Sequence, residues 1–271
     1  MNEQITFIGA GAMAEALIAG LLKKGLHPSQ VTVTNRNNSL RLQTLQQRYG
    51  VRTAALTAEA VANATIVLLA VKPKDVGEAL QMLAGILVKD TLVLSVVAGI
   101  STQHVNELLH GNTPIIRAMP NTSAQIGYSA TGLALGSSAT NEHLQRALAL
   151  FQCIGTTTVV SEEQLHAVTG LAGSGPAYIY YVVEAMQQAA TELALSAVDA
   201  KELIVQTLLG AAHMLQQSGD SPHVLRSKVT SPGGTTEAGI TFLENACVGE
   251  AITQSIQAAA ARSFTLSQID L

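Results

Sequence analysis

A glycine turn set between a strand and a helix, close to the start of the chain, constrains the fold more than any other feature. The apolar run Ile5–Ile8 leads directly into Gly9-Ala10-Gly11-Ala12-Met13-Ala14, and a helical pattern runs from Ala12 to Lys24. A turn of this kind suits a strand–helix–strand unit, in which the helix carries the chain back to lay the next strand parallel to the first. The same alternation continues to Val160. Further strand candidates are Val31–Thr34, Thr65–Val71, Thr91–Val96, Ile115–Met119, Gly132–Leu135 and Thr156–Val160. Most are short, β-branched and apolar throughout, as strands buried on both faces are. Helical patterns separate them at Ser39–Tyr49, Thr57–Val61, Lys74–Leu87, Thr102–Leu109 and Asn141–Phe151. The expected fold is α/β, a Rossmann-like doubly wound parallel sheet with helices on both faces.

Beyond Val160 the strand pattern stops. Pro176 suits an early position in a helix reaching about Leu195, and Asp199 is expected to cap a second that reaches about Ser218. Later helices fit Pro222–Lys228, Thr235–Asn245 and Val248–Ser263. Two domains are expected: a dinucleotide-binding Rossmann-like domain over 1–160 and an all-α domain over 161–271. Hydrophobic residues make up 48% of the chain and charged residues only 13%, an apolar excess that implies surface covered by another subunit.

Composition also narrows the function classes. A net charge of −4, with no basic run longer than Lys23-Lys24, gives no footprint for nucleic acid. The longest apolar stretches are of strand length and do not span a bilayer, and Met1 leads into a strand without room for a signal segment. A cytoplasmic protein is expected. Cys153 and Cys247 match no metal or redox spacing and are expected as two buried thiols; no metal site is expected.

The chemistry begins at the glycine turn. Gly9 permits the tight turn, Gly11 lets backbone amides approach a pyrophosphate at the helix N-terminus, and Ala14 is small enough for the helix to lie close on the strand. An ordinary glycine turn is the plainer alternative, but the strand–turn–helix context favours a dinucleotide held by Gly9, Ala10, Gly11, Ala12 and Met13. The second strand ends in Thr34-Asn35-Arg36, without the carboxylate that usually accepts from an NAD ribose. Arg36, with Asn35, can instead pair with a 2′-phosphate, so NADPH is favoured and NADH is possible; a solvated loop arginine is the bland reading. Ala70-Val71-Lys72-Pro73 closes another strand at the carboxyl edge, where such sheets bind ligands. Lys72 reads equally as an exposed loop charge.

A second unusual segment is Val229-Thr230-Ser231-Pro232-Gly233-Gly234-Thr235-Thr236, just ahead of a helix. Its exposed amides, its hydroxyls and the helix N-terminus make a carboxylate cradle. A simple capped turn fits the same residues equally well.

Taken together, the motifs resemble the pyrroline-5-carboxylate reductases. The resemblance rests on Phe7-Ile8-Gly9-Ala10-Gly11-Ala12-Met13-Ala14, Ala70-Val71-Lys72-Pro73, Arg117-Ala118-Met119-Pro120-Asn121-Thr122, Gly173-Ser174-Gly175-Pro176-Ala177-Tyr178 and Ser231-Pro232-Gly233-Gly234-Thr235-Thr236. It implies reduction of 1-pyrroline-5-carboxylate to L-proline with hydride from NAD(P)H, the last step of proline biosynthesis. It also implies a homodimer through the C-terminal helices, assembled in some members into a larger ring. The substrate carboxylate would be held by Ser231, Gly233, Gly234, Thr235 and Thr236, with Thr236 near the ring nitrogen. Ser123 departs from the resemblance, since many members carry Pro there.

Reducing a C=N bond needs hydride at carbon and a proton on nitrogen. A pyrroline bound as its iminium already carries that proton, so positioning and electrostatics suffice and no strong acid is required. His166, among Leu165, Ala167 and Val168, reads as structural. The competing enzyme class, the β-hydroxyacid dehydrogenases, uses a lysine after a glycine-rich turn, and Tyr178–Met186 contains none. A non-enzymatic NAD(P)H sensor would have no use for an ordered substrate loop.

Overall fold

The structure is a computed structural model and describes residues 3–268. It forms two compact units: one runs to Ser174 and takes up the chain again from Gln257, the other spans Gly175–Ile256.

The first unit opens with β1 (Ile5–Ile8), α1 (Ala12–Lys23), β2 (Val31–Thr34), α2 (Ser39–Tyr49), β3 (Arg52–Ala54), α3 (Ala58–Val61) and β4 (Ile66–Leu69). It continues through α4 (Val76–Ala84), β5 (Leu92–Ser95), α5 (Thr102–Leu108), β6 (Ile115–Met119), β7 (Ser129–Leu135), α6 (Asn141–Phe151) and β8 (Gly155–Val159). The eight strands make one sheet in the order β3-β2-β1-β4-β5-β6-β7-β8. Pairing is parallel except between β6 and β7, where Ile116 faces Leu135 in antiparallel register. The chain therefore crosses over between β3 and β4, and β1 and β4 lie side by side with helical connections leaving in opposite directions.

Side chains along the central strands β1, β4 and β5 alternate between two cores. Phe7, Val33, Leu68 and Leu94 pack on one face with Leu17 and Leu21 of α1 and Phe151 of α6. Ile8, Val67, Leu69 and Val93 pack on the other with Leu80 and Leu83 of α4 and Val105 of α5. Because both faces are covered, β4 and β5 lack polar–apolar alternation, as their sequences imply, whereas β2 alternates Val with buried Thr. Strand β3 was not foreseen: it is a three-residue edge strand, partly exposed, held by backbone pairing of Thr32 with Arg52 through Thr34 with Ala54. After β8 comes α7 (Leu165–Val168), followed by a π-helical turn over Thr169–Gly173.

The second unit holds α8 (Gly175–Glu192), α9 (Ala197–Gln217), α10 (Pro222–Lys228), α11 (Thr235–Asn245) and the start of α12 (Val248–Ser267). No strand occurs here among the described residues. The α9 cap differs from expectation: Ser196, not Asp199, is the cap, its Oγ accepting from the Asp199 amide at 3.1 Å. Asp199 sits inside the first turn, where its carboxylate accepts from the Ser196 hydroxyl and favours the positive helix end. Only Ala190, Ala200 and Ile204 of this unit are buried hydrophobics. Among the described residues, no helix is long and apolar enough to cross a membrane.

Candidate functional site

A cleft opens at the carboxyl ends of β1, β2 and β4, with a volume of about 660 Å³. The turn after β1 forms its floor. Gly9 has φ +109°, and a Cβ there would stand 2.4 Å from the Ala70 carbonyl oxygen, so only glycine fits. Its amide donates to the Thr34 carbonyl at 3.1 Å, tying the turn to the end of β2. Gly11 precedes α1, and beyond its own chain neighbours no atom lies within 4 Å of where its Cβ would be. The fold itself does not require glycine at this position; the absent side chain leaves room for something approaching the α1 amides. Ala14 is fully buried against the strands and Met13 packs partly on the same core, while Ala12 is exposed. Of the residues singled out from sequence, Gly9, Ala10, Gly11, Asn35, Arg36, Ala70, Val71 and Lys72 line the cleft together. Pro73 begins the short 3-10 turn that follows Lys72.

Several residues that sequence reasoning did not single out shape this cleft. Arg41 of α2 donates Nε to the Ala10 carbonyl at 2.8 Å, strapping the glycine turn to the neighbouring helix. Its Nη2 bonds Glu15 of α1, which also accepts from Arg48 at 2.9 Å and from the Tyr49 hydroxyl at 3.0 Å. Burial pushes the Glu15 carboxyl up, but bonds from Arg41 and Tyr49 with the arginine charges outweigh it and hold the group below its usual range. Arg41 is thus committed to structure. The Asn35 side chain accepts from the amides of Asn37 at 3.1 Å and Asn38 at 2.9 Å, so it builds the loop that presents Arg36. Arg36 pairs with Glu78 of α4, and both side chains remain about half exposed in the cleft. Apart from the local Asn35 turn, these contacts join residues distant in sequence, which is why no local pattern announced them.

The Ser231–Thr236 loop lies in the helical unit, just ahead of α11. Gly233 has φ +70°, and the Gly234 amide donates to the Ser231 carbonyl at 3.0 Å. A Cβ on Gly234 would come within 2.9 Å of the Ser231 carbonyl oxygen, so a second glycine is needed. Gly234 is itself the N-cap of α11 and has no side chain to cap it, leaving the first-turn amides without a side-chain acceptor. One acceptor was overlooked: Glu237 turns back and takes the Gly233 amide at 2.7 Å. Amides available to an anion are therefore those of Thr235 and Thr236 rather than those of the glycines. Ser231, Thr235 and Thr236 are exposed.

The other motifs brace the first unit. Arg117 is buried beside Glu162, whose carboxylate also accepts the Thr102 amide at 2.7 Å and its hydroxyl at 2.5 Å. Asn121 donates Nδ2 to the Ala172 carbonyl at 2.9 Å, holding the π-helical turn that precedes Gly175. Its Oδ1 accepts from the Ser123 amide at 3.1 Å, a bond that a proline at 123 could not donate. His166 shares a 3.0 Å hydrogen bond with Ser263 and packs edge-on to Phe264 of α12. Burial and the Arg117 charge depress its pKa against the opposing pull of Glu162. Both cysteines are free thiols. Burial pushes Cys153 up to about 12, whereas Cys247 is exposed in this single chain, contrary to expectation. Among the described residues no cluster of His, Cys, Asp and Glu could hold a metal ion.

Comparison with known proteins gives consistent matches. Residues 162–266 match the family described as pyrroline-5-carboxylate reductase dimerisation, and residues 4–99 match NADP oxidoreductase coenzyme F420-dependent. The chain is 43% identical to pyrroline-5-carboxylate reductase 2 of Bacillus subtilis over 98% of its own length and 96% of that protein's. It superposes on a solved pyrroline-5-carboxylate reductase from Coxiella burnetii with a TM-score of 0.93 and 36% identity, covering 99% of this chain and 100% of that one. A Plasmodium falciparum pyrroline carboxylate reductase solved with NADP bound shares the fold, with a TM-score of 0.86 at 22% identity over 98% and 99% of the two chains.

Proposed function

The chain belongs to the pyrroline-5-carboxylate reductase family and reduces 1-pyrroline-5-carboxylate to L-proline with NAD(P)H, and from that premise we propose a role for each of its site residues. The observation that carries the cofactor assignment is the pair of glycines after β1, one required by the backbone and one leaving space the fold does not use. Gly9, Ala10, Gly11, Ala12 and Met13 hold the pyrophosphate on the α1 amides. Asn35 and Arg36 take the adenosine ribose and its 2′-phosphate, which makes NADPH the preferred form. Ala70, Val71, Lys72 and Pro73 form the wall toward the nicotinamide ribose.

When bound, the cofactor supplies the hydride; the protein supplies orientation and charge. Ser231, Gly233, Gly234, Thr235 and Thr236 hold the substrate, its carboxylate resting on the amides of Thr235 and Thr236 at the positive end of α11. The Thr236 hydroxyl accepts from the protonated ring nitrogen and keeps the iminium form, and with it the electrophilic carbon, in place. No side chain need donate a proton. The C-terminal helices form a homo-oligomeric interface. We assign residues 1–160 to dinucleotide binding and 161–271 to substrate binding and dimerisation, with assembly of dimers into a larger ring and a cytoplasmic location.

The test is direct. Purified protein given NADPH and the pyrroline should consume NADPH and yield one proline per cofactor oxidised. Binding of NADPH without turnover across neutral pH sinks the reading.

A further inference from the structure

The cleft at the end of β2 contains a carboxylate that its own sequence position lacks. Glu78 enters from the first turn of α4, 42 residues away in sequence, and pairs with the Arg36 guanidinium. Both groups line the cleft and remain half exposed, at 55% and 53% of the side chain, so neither is locked by packing. Arg41, the other arginine here, is committed to Glu15 and the Ala10 carbonyl and cannot substitute for Arg36. On the reading that Arg36 meets the 2′-phosphate, a dianion arriving there must share this guanidinium with Glu78 and sit close to its negative charge. A ribose bearing only a 2′-hydroxyl meets no such opposition.

We propose that Glu78 is a specificity-determining residue that competes with the 2′-phosphate for Arg36 and so narrows the preference for NADPH over NADH. An alternative role for a carboxylate in the first turn of α4 is to stabilise that helix through its dipole, which would affect stability but not discriminate between nucleotides.

Equilibrium titration of wild type, Glu78→Gln, Arg36→Ala and the double variant with NADPH and NADH separates these cases, with 2′,5′-ADP and 5′-AMP as probes of the adenosine half alone. Glu78→Gln should tighten NADPH and 2′,5′-ADP about three- to fivefold at low salt, the range of an exposed ion pair. NADH and 5′-AMP should stay within about twofold. The gain should shrink as salt rises, since both groups are solvent-screened, and should fall below about twofold on the Arg36→Ala background, where only direct repulsion by Glu78 remains. NADPH binding that is unchanged or weaker in Glu78→Gln overturns the role of Glu78, even where Arg36→Ala loses NADPH selectively. Equal losses of both cofactors in Arg36→Ala overturn the 2′-phosphate assignment itself, and the proposal with it.

Discussion

The two units of this chain use similar apolar residues to opposite effect. In the sheet unit, Phe7, Leu17, Leu68 and Phe151 are fully buried, and the two faces of one sheet bury most of the large hydrophobics, although Leu40, Ile126 and Tyr128 stay exposed. In the helical unit, Tyr181, Leu193 and Phe242 are exposed at 75%, 77% and 74%, and Leu203, Leu209 and Met214 of α9 are also exposed. A two-sided sheet with helices on both faces can satisfy itself within one chain. A few helices cannot, because each can bury only the stripe that meets a neighbour. Apolar composition states how much burial a chain requires; topology decides whether the same chain supplies it.

The largest expected effect tests the self-sufficiency of the sheet unit. Gly9→Ala drives a Cβ into the Ala70 carbonyl and forces a strained φ, and it should cost on the order of 2–4 kcal/mol of unfolding free energy together with most NADPH binding. Chemical denaturation with parallel NADPH titration checks it; a variant as stable as wild type breaks the account of the turn. The next effect tests the dependence of the helical unit on a partner. Leu209→Glu places a charge on an exposed face and should leave monomer helicity intact. If the partner covers that face, the dimer dissociation constant should rise about thirtyfold, roughly 2 kcal/mol, by sedimentation. An unchanged dimer would place the interface elsewhere on these helices.

A smaller effect sharpens the division of labour between the units. Thr236→Ala should lower kcat by a few-fold to about tenfold, the range of one hydrogen bond, and leave NADPH affinity unchanged. Thr236→Ser should keep most activity. Steady-state kinetics in which Thr236→Ser is damaged as much as Thr236→Ala would remove the hydroxyl from the mechanism. The smallest effect concerns acid. The Glu15 carboxyl is held below its usual range in the folded protein, so its ionised form favours folding above the unfolded value near 4.5. That contribution disappears as pH falls from there through the folded value. Glu15→Gln should therefore make stability flatter below about pH 5, measured by denaturation at several pH values; an acid limb that stays as steep as in wild type argues against it.

Much of the fold was legible because parallel strands buried on both faces leave short apolar runs such as Ile66–Leu69. What escaped notice was held by the backbone or by distant partners. Strand β3 has no apolar run to reveal it, since its place beside β2 rests on ladder bonds. The antiparallel turn of β7 leaves no mark in its composition, because direction is a property of the pair. At the site, glycines whose backbone geometry excludes a side chain were legible, whereas Glu78 and Arg41 act across helices and Glu237 folds back onto the loop it follows. Cys247 appeared core-like from its residue type, yet the helices around it make no core in one chain.

The last turns of α12 have a consequence for the order of assembly during synthesis. The Leu266 carbonyl comes within 3.6 Å of where a Cβ on Gly99 would stand, and Ser263 and Phe264 contact His166. The sheet unit is therefore discontinuous in the chain, and the helical unit is an insertion within it. All strands are made before the inserted helices, yet the Gly99 loop and His166 of α7 gain these contacts only after those helices have been translated. Contacts of such long sequence separation form slowly and leave apolar surface exposed on the nascent chain meanwhile. Deleting the end of α12 should impair folding of a unit whose strands were complete long before it.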